Sequence, residues 1–293
     1  MQSGTPLSDV ISEKKTCFAP NRNAANSDHY SNKVEFDKFY TKESVAQDCL
    51  SILNLDCYDF IIEPSAGNGS FFKHINHDNK VGFDIKPECD SIYEQNFFTY
   101  HVDPKYKNVL IVGNPPFGIR NRLSIDFIRH AMTFENVKTI AFVLPDVFNK
   151  HTLQKYIHAK FRIKEIKKIP PFSFEINGNP FNMPCSFFIF DISEGPDLRF
   201  RTEHYKDTND FEFGSLNNYD FFILGASPRV VIDSPALNNR GYYIKVKDSI
   251  DPEQIKENFR DCPWSGYSSV SGGASWLTRP EIVFQYITHY KSK

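Results

Sequence analysis

The chain has 293 residues, 40% hydrophobic and 24% charged, with a formal net charge of −2. That is ordinary soluble globular material with enough apolar residues for a core, and its length suits one large domain or two ordinary ones at roughly 100–200 residues each. A near-neutral chain is not a polyanion binder as a whole, so any nucleic-acid surface must be local.

Phe is unusually frequent at 28 and Tyr adds 14, so aromatic packing is expected to dominate. Cys17, Cys49, Cys57, Cys89, Cys185 and Cys262 are scattered without a C-x-x-C, which argues for reduced thiols and against a disulfide framework or a zinc site. No signal peptide opens the sequence and no apolar run approaches the roughly 18 residues of a membrane span. The expectation is a soluble, intracellular protein of the cytoplasm or nucleus, with no metal and no membrane association.

Residues 1–33, rich in Ser, Asn, Lys and Asp, read as a flexible tail. KESVAQDCLSILN (42–54) sets Val45, Cys49, Ile52 and Leu53 on one helical stripe, with Ala46 and Leu50 beside it and Thr41 as a plausible N-cap. YDFIIEP (58–64) reads as a short buried strand, and SFFKHI (70–75) as the start of a helix. KVGFDI (80–85) is a second strand, a weak third lies near 95–100, and VLIVG (109–113) is the fourth. RLSIDFIRHAMTF (122–134) is helical, with Leu123, Phe127, His130 and Ala131 near one face. TIAFVLP (139–145) is another buried strand, followed by a helix over HTLQKYIHAKF (151–161).

RIKEIKKIP (162–170) and CSFFIFDI (185–192) are strand-like and separated by a long loop rich in Pro, Asn and Gly. This alternation predicts an open, mainly parallel α/β sheet over residues 34–195, covered on both faces. Ligands of such sheets sit at the carboxyl ends of the strands, where EPSAGNG, GFD, GNPPFG and LPD all fall. From 196 to 293 the texture changes to a small α+β region. RFR, DFEF, YDFFILGA, RVVI and YYIKVK are short strand candidates. DPEQIKENFR (251–260) is a helix, SGYSSVSGG a loop, and 279–290 a last helix with Ile282, Val283, Tyr286 and Ile287 on one stripe.

Three of the strand ends carry chemistry. In IIEPSAGNGSFF (61–72), Gly67 and Gly69 permit a tight turn and close approach of a ligand, although such a turn also occurs without one. The spacing is not G-x-G-x-x-G and no Lys-Ser/Thr follows, which disfavours a triphosphate. Asp84, ending the next strand, suits a ribose hydroxyl pair or is a surface acid. In GNPPFG, Asn114 offers an acceptor and a donor, the prolines pin the following carbonyls, and Phe117 supplies a flat apolar face. Such a corner suits a planar heterocycle bearing an exocyclic amine.

In order, DKFYTKES (37–44), EPSAGNGSF (63–71), GFD (82–84) and GNPPFG (113–118) resemble the motifs of S-adenosylmethionine-dependent N6-adenine methyltransferases of nucleic acids. The resemblance is to the subgroup with an F-Y-T segment ahead of the cofactor loop, and it covers roughly residues 34–192. It implies a Rossmann-like sheet, mainly parallel with an antiparallel edge strand, and S-adenosylmethionine as cofactor. Phe39, Tyr40 and Thr41 would cover the cofactor. Glu63, Pro64, Ser65, Ala66, Gly67, Asn68 and Gly69 would surround its methionine part. Asp84 with Ile85 would take the ribose side, and Asn96 with Phe97 its adenine. Asn114, Pro115, Pro116 and Phe117 would hold the target base, with Asn114 also bordering the cofactor. Lys42 stands where the family commonly has Pro. Asn96 stands in place of an Asp and accepts without charge, which implies weaker cofactor binding.

A base inside a duplex cannot reach such a corner, so it would be extruded or unpaired. Phe174 or Phe181 would supply a second ring, although either also suits a core. Lys150, Lys155, Lys160, Arg162, Lys164, Lys167 and Lys168, with Arg120, Arg122 and Arg129, form a basic stretch that is a solvated face or a nucleic-acid surface. Of these, Arg120, Arg122, Lys150 and Lys155 are the expected nucleic-acid contacts, and 196–293 the target-recognition region. The expected substrate is DNA, ahead of RNA. A protein glutamine amide and a non-catalytic scaffold subunit are the alternatives, and a partner subunit or homodimer fits the small C-terminal region.

Overall fold

The computed structural model describes residues 39–176, 178–206, 208–265 and 276–291, and Phe39–Lys293 forms one compact unit. The expected tail, 1–33, and all but the first residue of the Gly/Ser-rich segment 265–273 lie outside the described residues. In chain order, β1 (Tyr40–Thr41) and α1 (Glu43–Leu50) precede β2 (Phe60–Glu63), β3 (Lys80–Asp84), β4 (Tyr93–Glu94) and β5 (Val109–Gly113). Then come α2 (Arg122–Ala131), β6 (Val137–Pro145), α3 (His151–Gln154), β7 (Arg162–Lys168), β8 (Phe174–Ile176), β9 (Asn179–Phe181) and β10 (Cys185–Asp191). The remainder is β11 (Phe211–Phe213), β12 (Phe221–Leu224), β13 (Ser227–Ile232), β14 (Gly241–Val246), α4 (Pro252–Asp261) and α5 (Arg279–Lys291).

The main sheet has the order β4-β3-β2-β5-β6-β10-β7. Strands β4, β3, β2, β5 and β6 run parallel, and β10 runs antiparallel to both β6 and β7. The reversed strand is therefore interior, not at the edge as expected. Every residue of β10 is buried, whereas β7 alternates Ile with Lys and Glu. The wholly buried strand takes the covered position, and the lysine-bearing one takes the edge, where charge discourages further pairing.

Both sheet faces are covered. Ile61, Leu110, Val112, Ala141 and Val143 pack with Val45, Ala46, Cys49 and Leu50 of α1. Ile62, Ile111, Ile140 and Phe142 pack with Ile125, Phe127, Ile128 and Ala131 of α2. Runs such as VLIV, buried at every position, are what a parallel sheet covered on both sides requires.

Several local expectations change. Thr41 is not the cap of α1: it pairs with Phe174 in the β1–β8 ladder, and Lys42 N–H donates to Ser173 O at 3.0 Å. The chain is still extended there, so the helix opens one residue later with Lys42 as its cap. The helix expected from 70 is only a 3₁₀ turn, Phe72–His74. Lys80 Nζ donates to Phe72 O (2.9 Å) and Ile75 O (2.6 Å), carbonyls that a continuing helix would have used.

The helix over 151–161 is regular only to Gln154. Beyond it, Tyr156 and Ile157 donate to carbonyls three residues back, at 3.1 and 3.0 Å. The loop between β7 and β10 contains the β8–β9 hairpin, which joins β1 in a three-stranded sheet of order β1-β8-β9.

The C-terminal sheet, β11-β14-β12-β13, is antiparallel throughout. It shares a core with α4 and α5 through Phe211, Phe221, Ile244, Phe259, Ile282 and Tyr286. Asp251 caps α4 by accepting from Glu253 N–H at 3.0 Å, with Pro252 in the first turn. RFR (199–201) forms no strand, because Arg199 and Arg201 turn back onto Asp197 at 2.7 and 2.9 Å.

Candidate functional site

The carboxyl ends of four neighbouring strands, β3, β2, β5 and β6, open on the same edge of the sheet. They carry Asp84, the Glu63–Gly69 segment, Asn114 and Asp146 respectively, so the topology brings the expected polar segments together. Asp84 organises the loop. Its Oδ2 accepts from Gly67 N–H and its Oδ1 from Lys86 N–H, both at 2.8 Å. Gly67 (φ +50°) and Gly69 (φ +82°) adopt the left-handed conformations that the tight turn requires. The turn is closed by Gly69 N–H donating to Ala66 O at 2.6 Å, and Asn68 Oδ1 accepts from Ser70. With only a 3₁₀ turn following, no helix N-terminus faces this loop.

Ser65 Oγ donates to Asn114 O at 3.1 Å and joins the loop to the β5 corner. Asn114 Nδ2 donates to Phe39 O at 3.1 Å, which fixes the amide so that Oδ1 points elsewhere. That Oδ1 is buried and has no partner. Two further buried oxygens are orphaned in the same neighbourhood, Thr41 Oγ1 and Glu63 Oε2. Buried acceptors and hydroxyls of this kind are rare without a ligand or water to satisfy them.

Burial drives the Glu63 carboxyl well above its ordinary value, and the nearby Asp84 charge pushes the same way. The backbone of Phe72 and the Lys80 ammonium oppose this without overcoming it. Glu63 packs beneath Gly113, where a side chain would press on Glu63 Cγ at 3.0 Å.

After the corner the backbone is strained: Gly118, Arg120 and Asn121 all have positive φ, 65°, 55° and 59°. Two such non-glycine residues in succession cost about 1–3 kcal/mol each and cluster at working sites. Pro116 O accepts from Ser124 Oγ at 3.1 Å, so one proline carbonyl is fixed by α2. Sequence periodicity gave no signal of this strain.

The F-Y-T segment lies across the site. Tyr40 hydroxyl donates to Glu88 Oε1 at 2.6 Å, and its ring stands 3.4 Å from where a Gly67 side chain would be. Phe39 stacks on Phe117 (6.0 Å, 23°) and on Phe181 (5.3 Å, 29°). Phe117 is therefore 2% exposed, with Phe39 against it, and is no open platform. Ile85, 57% exposed, flanks Asp84 as an uncovered apolar side chain.

Other expected contacts move. Phe174 is fully buried in the core behind β5 and belongs to no surface, whereas Phe181 is 38% exposed. Phe97 is buried among Phe127, His130 and Phe134, and the exposed ring is its neighbour Phe98. Asn96 Oδ1 accepts from Phe98 N–H at 3.0 Å and caps that turn, which leaves the oxygen one further lone pair for an adenine amine.

Lys150 is buried, with Nζ donating to Trp276 O, and offers no charge to a surface. Much of the basic stretch is neutralised. Arg162 and Lys164 pair with Asp191, Lys167 with Asp48 at 2.8 Å, and Lys168 with Asp146. Asp146 also accepts from Ser186 Oγ at 2.8 Å, which makes it a structural acid. Arg120, Arg122, Arg129, Lys155 and Lys160 remain exposed, with Arg122 at 3.5 Å from Asp126. Among the described residues no cluster of His, Cys, Asp and Glu has the makings of a metal site, and no helix is long and apolar enough to cross a membrane.

No protein-family model matches the chain, and no curated protein matches it. Among solved structures it is similar to PH1948 of Pyrococcus horikoshii, described as a candidate RNA methyltransferase. That match has 15% identity over 54% of this chain and 89% of the other, with a TM-score of 0.39. It is similar also to the 23S rRNA methyltransferase ErmE, at 14% identity over 54% of this chain and 72% of that one, TM-score 0.39. A third similarity is to the N-methyltransferase NodS of Bradyrhizobium japonicum, at 10% identity over 58% and 99% of the two chains, TM-score 0.35.

Proposed function

We propose that the chain transfers a methyl group from S-adenosylmethionine to the exocyclic N6 amine of adenine in a nucleic-acid strand. The observation that carries this reading is the buried, unpartnered Asn114 Oδ1, oriented by the Nδ2 bond to Phe39 O, beside the aromatic ring of Phe117. The cofactor assignment has its own support: Thr41 Oγ1 and Glu63 Oε2 are also orphaned, and the glycine turn that follows Glu63 has Tyr40 and Asp84 against Gly67. These residues fit a ligand with its own donors. Burial raises the Glu63 pKa, which favours a carboxyl able to donate as well as accept, and Asp84, although bonded to two backbone amides, retains lone pairs for ribose hydroxyls.

S-adenosylmethionine, when bound, would supply a methyl carbon on a positively charged sulfur, whose S–CH3 bond breaks as the N–CH3 bond forms, with neutral S-adenosylhomocysteine as the leaving group. The chain's task is to make the adenine amine a better nucleophile and to place it. The amine lone pair is delocalised into its ring. Asn114 Oδ1 and the Pro115 carbonyl would accept its two hydrogens, favour a pyramidal nitrogen and stabilise the positive charge that develops there. Neither oxygen is basic enough to keep a proton, so the one released goes to water. The rest is positioning: Phe117 flanks the base, and Phe39 withdraws or tilts to admit it. The base is extruded or unpaired, because a stacked one cannot reach a recessed corner.

The test is to incubate the protein with methyl-labelled S-adenosylmethionine and DNA, RNA and protein pools, then identify the labelled product by mass. N6-methylated adenosine or deoxyadenosine is expected, and its sugar names the polymer. Label confined to peptide, or absent from all three pools, overturns the reading.

A further inference from the structure

The C-terminal region holds a second cleft, of about 410 Å³, lined by Tyr205, Lys206, Glu212, Phe213, Arg279 and Pro280. Its chemistry differs from that of the NPPF corner. The Arg279 guanidinium lies over the rings of Phe213 (5.1 Å) and Tyr242 (5.7 Å). Arg162, Arg199, Arg201 and Arg260 each pair with a carboxylate, but among the described residues none pairs with Arg279. Two rings hold this cation in place with its charge unspent, so its N–H edge is preorganised for an anion. Lys206 adds a second, exposed cation. Tyr205 is packed between Phe200 (5.1 Å) and Phe284 (5.0 Å), which steadies an aromatic wall. Glu212 brings a carboxylate acceptor to the same cleft.

The cleft is also tied to the working edge of the main sheet. Lys150 Nζ donates to Trp276 O, three residues before Arg279. Phe200 N–H donates to Gln154 Oε1 at 2.7 Å, and the His151 ring lies 6.0 Å from that of Phe200. Lys150, His151 and Gln154 follow the carboxyl end of β6, which shares an edge with the Asn114 corner.

We propose that this cleft binds a nucleotide of the strand that presents the target adenine. Arg279 and Lys206 would take its phosphate, Tyr205 and Phe213 would flank its base, and Glu212 would accept from a base amine. An anion alone would not favour a cleft that contains a carboxylate, whereas a phosphate carrying a base with donors satisfies all five side chains. The proposal rests on the nucleic-acid reading above and extends it to a second contact.

The test uses the full chain and a fluorescein-labelled 12-nucleotide single strand with one central adenine, followed by anisotropy across a salt series. Arg279→Ala and Lys206→Glu are each expected to weaken binding about tenfold. Arg279→Ala should also flatten the dependence of log K on log salt by about 0.7, one single-strand phosphate contact. S-adenosylmethionine affinity should be unchanged in both. Lys206 is exposed, so its variant tests the proposal even if loss of Arg279 perturbs folding. Unchanged affinity and salt slope in both variants, against a wild type that binds and methylates, overturns the cleft assignment. A wild type that binds no strand overturns it too. If the variants weaken binding but the wild type methylates no adenine, the cleft stands and the reading of the Asn114 corner falls.

Discussion

Replacing Asn114 with alanine should separate catalysis from stability. The folded chain loses one neutral hydrogen bond, Nδ2 to Phe39 O, a net loss of about 0.5–1.5 kcal/mol. It also loses a buried oxygen that has no partner, and leaving such a group unsatisfied costs about 1–3 kcal/mol. The two oppose each other, so the net lies between a loss of about 0.5 and a gain of about 2.5 kcal/mol, and at about 2–4 °C per kcal/mol Tm should not fall by more than about 2 °C. The reaction, by contrast, loses a preorganised acceptor aimed at developing charge, and removal of one comparable group costs about 10²–10³ in rate. Single-turnover transfer from labelled S-adenosylmethionine, with a thermal melt and calorimetric cofactor binding on the same sample, measures all three. Asn114→Asp keeps an acceptor and loses the donor to Phe39 O, so its rate should fall between alanine and wild type. An alanine variant that folds normally and transfers methyl within threefold of wild type would refute the reasoning.

Glu63→Gln should flatten the dependence of stability on pH. The folded carboxyl has a raised pKa, so the folded state holds more protons than the unfolded one, and stability falls as pH climbs above the ordinary value of 4.5. Chemical denaturation between pH 4 and 8 should show that decline in the wild type and not in the variant. His130 acts at the other end: burial lowers its pKa below 6.5, so its contribution is lost as pH falls through that region. His130→Leu should lessen acid sensitivity in the same titration. Gly82→Ala places a methyl 2.9 Å from the Phe72 ring, and a loss of about 1–3 kcal/mol is expected in urea unfolding. Phe39→Ala uncovers Phe117, so oligonucleotide binding at the corner should speed up in stopped flow while cofactor affinity falls.

The parallel strands and their carboxyl ends were legible because β2, β5 and β6 are short apolar runs closed by Pro or Gly, signals that need no long-range information. The β8–β9 hairpin was less visible but had a local mark. The sequence Asn177-Gly178 falls between the two strands, and Gly178 has φ +76°. The partners of the basic stretch had none, because Asp48, Asp146 and Asp191 are scattered along the sequence and meet β7 only once helix α1 and strands β6 and β10 are in place. Phe97 and Phe98 exchanged places for a related reason: a 3₁₀ turn after a two-residue strand imposes no alternation from which burial can be inferred. The orphaned oxygens of Thr41, Glu63 and Asn114 are a property of packing, and composition carries no trace of them.

The small sheet that joins β1 to the β8–β9 hairpin sets an order on biosynthesis. Tyr40 and Thr41 leave the ribosome more than 130 residues before Phe174 and Glu175, their ladder partners. The glycine turn and the Asn114 corner are translated well before the hairpin against which the F-Y-T strand pairs. A nascent chain stopped between 118 and 174 carries those motifs with Phe117 lacking the complete Phe39–Phe181 stack as its cover. Premature termination should therefore yield a sticky fragment, a target for chaperones and proteases.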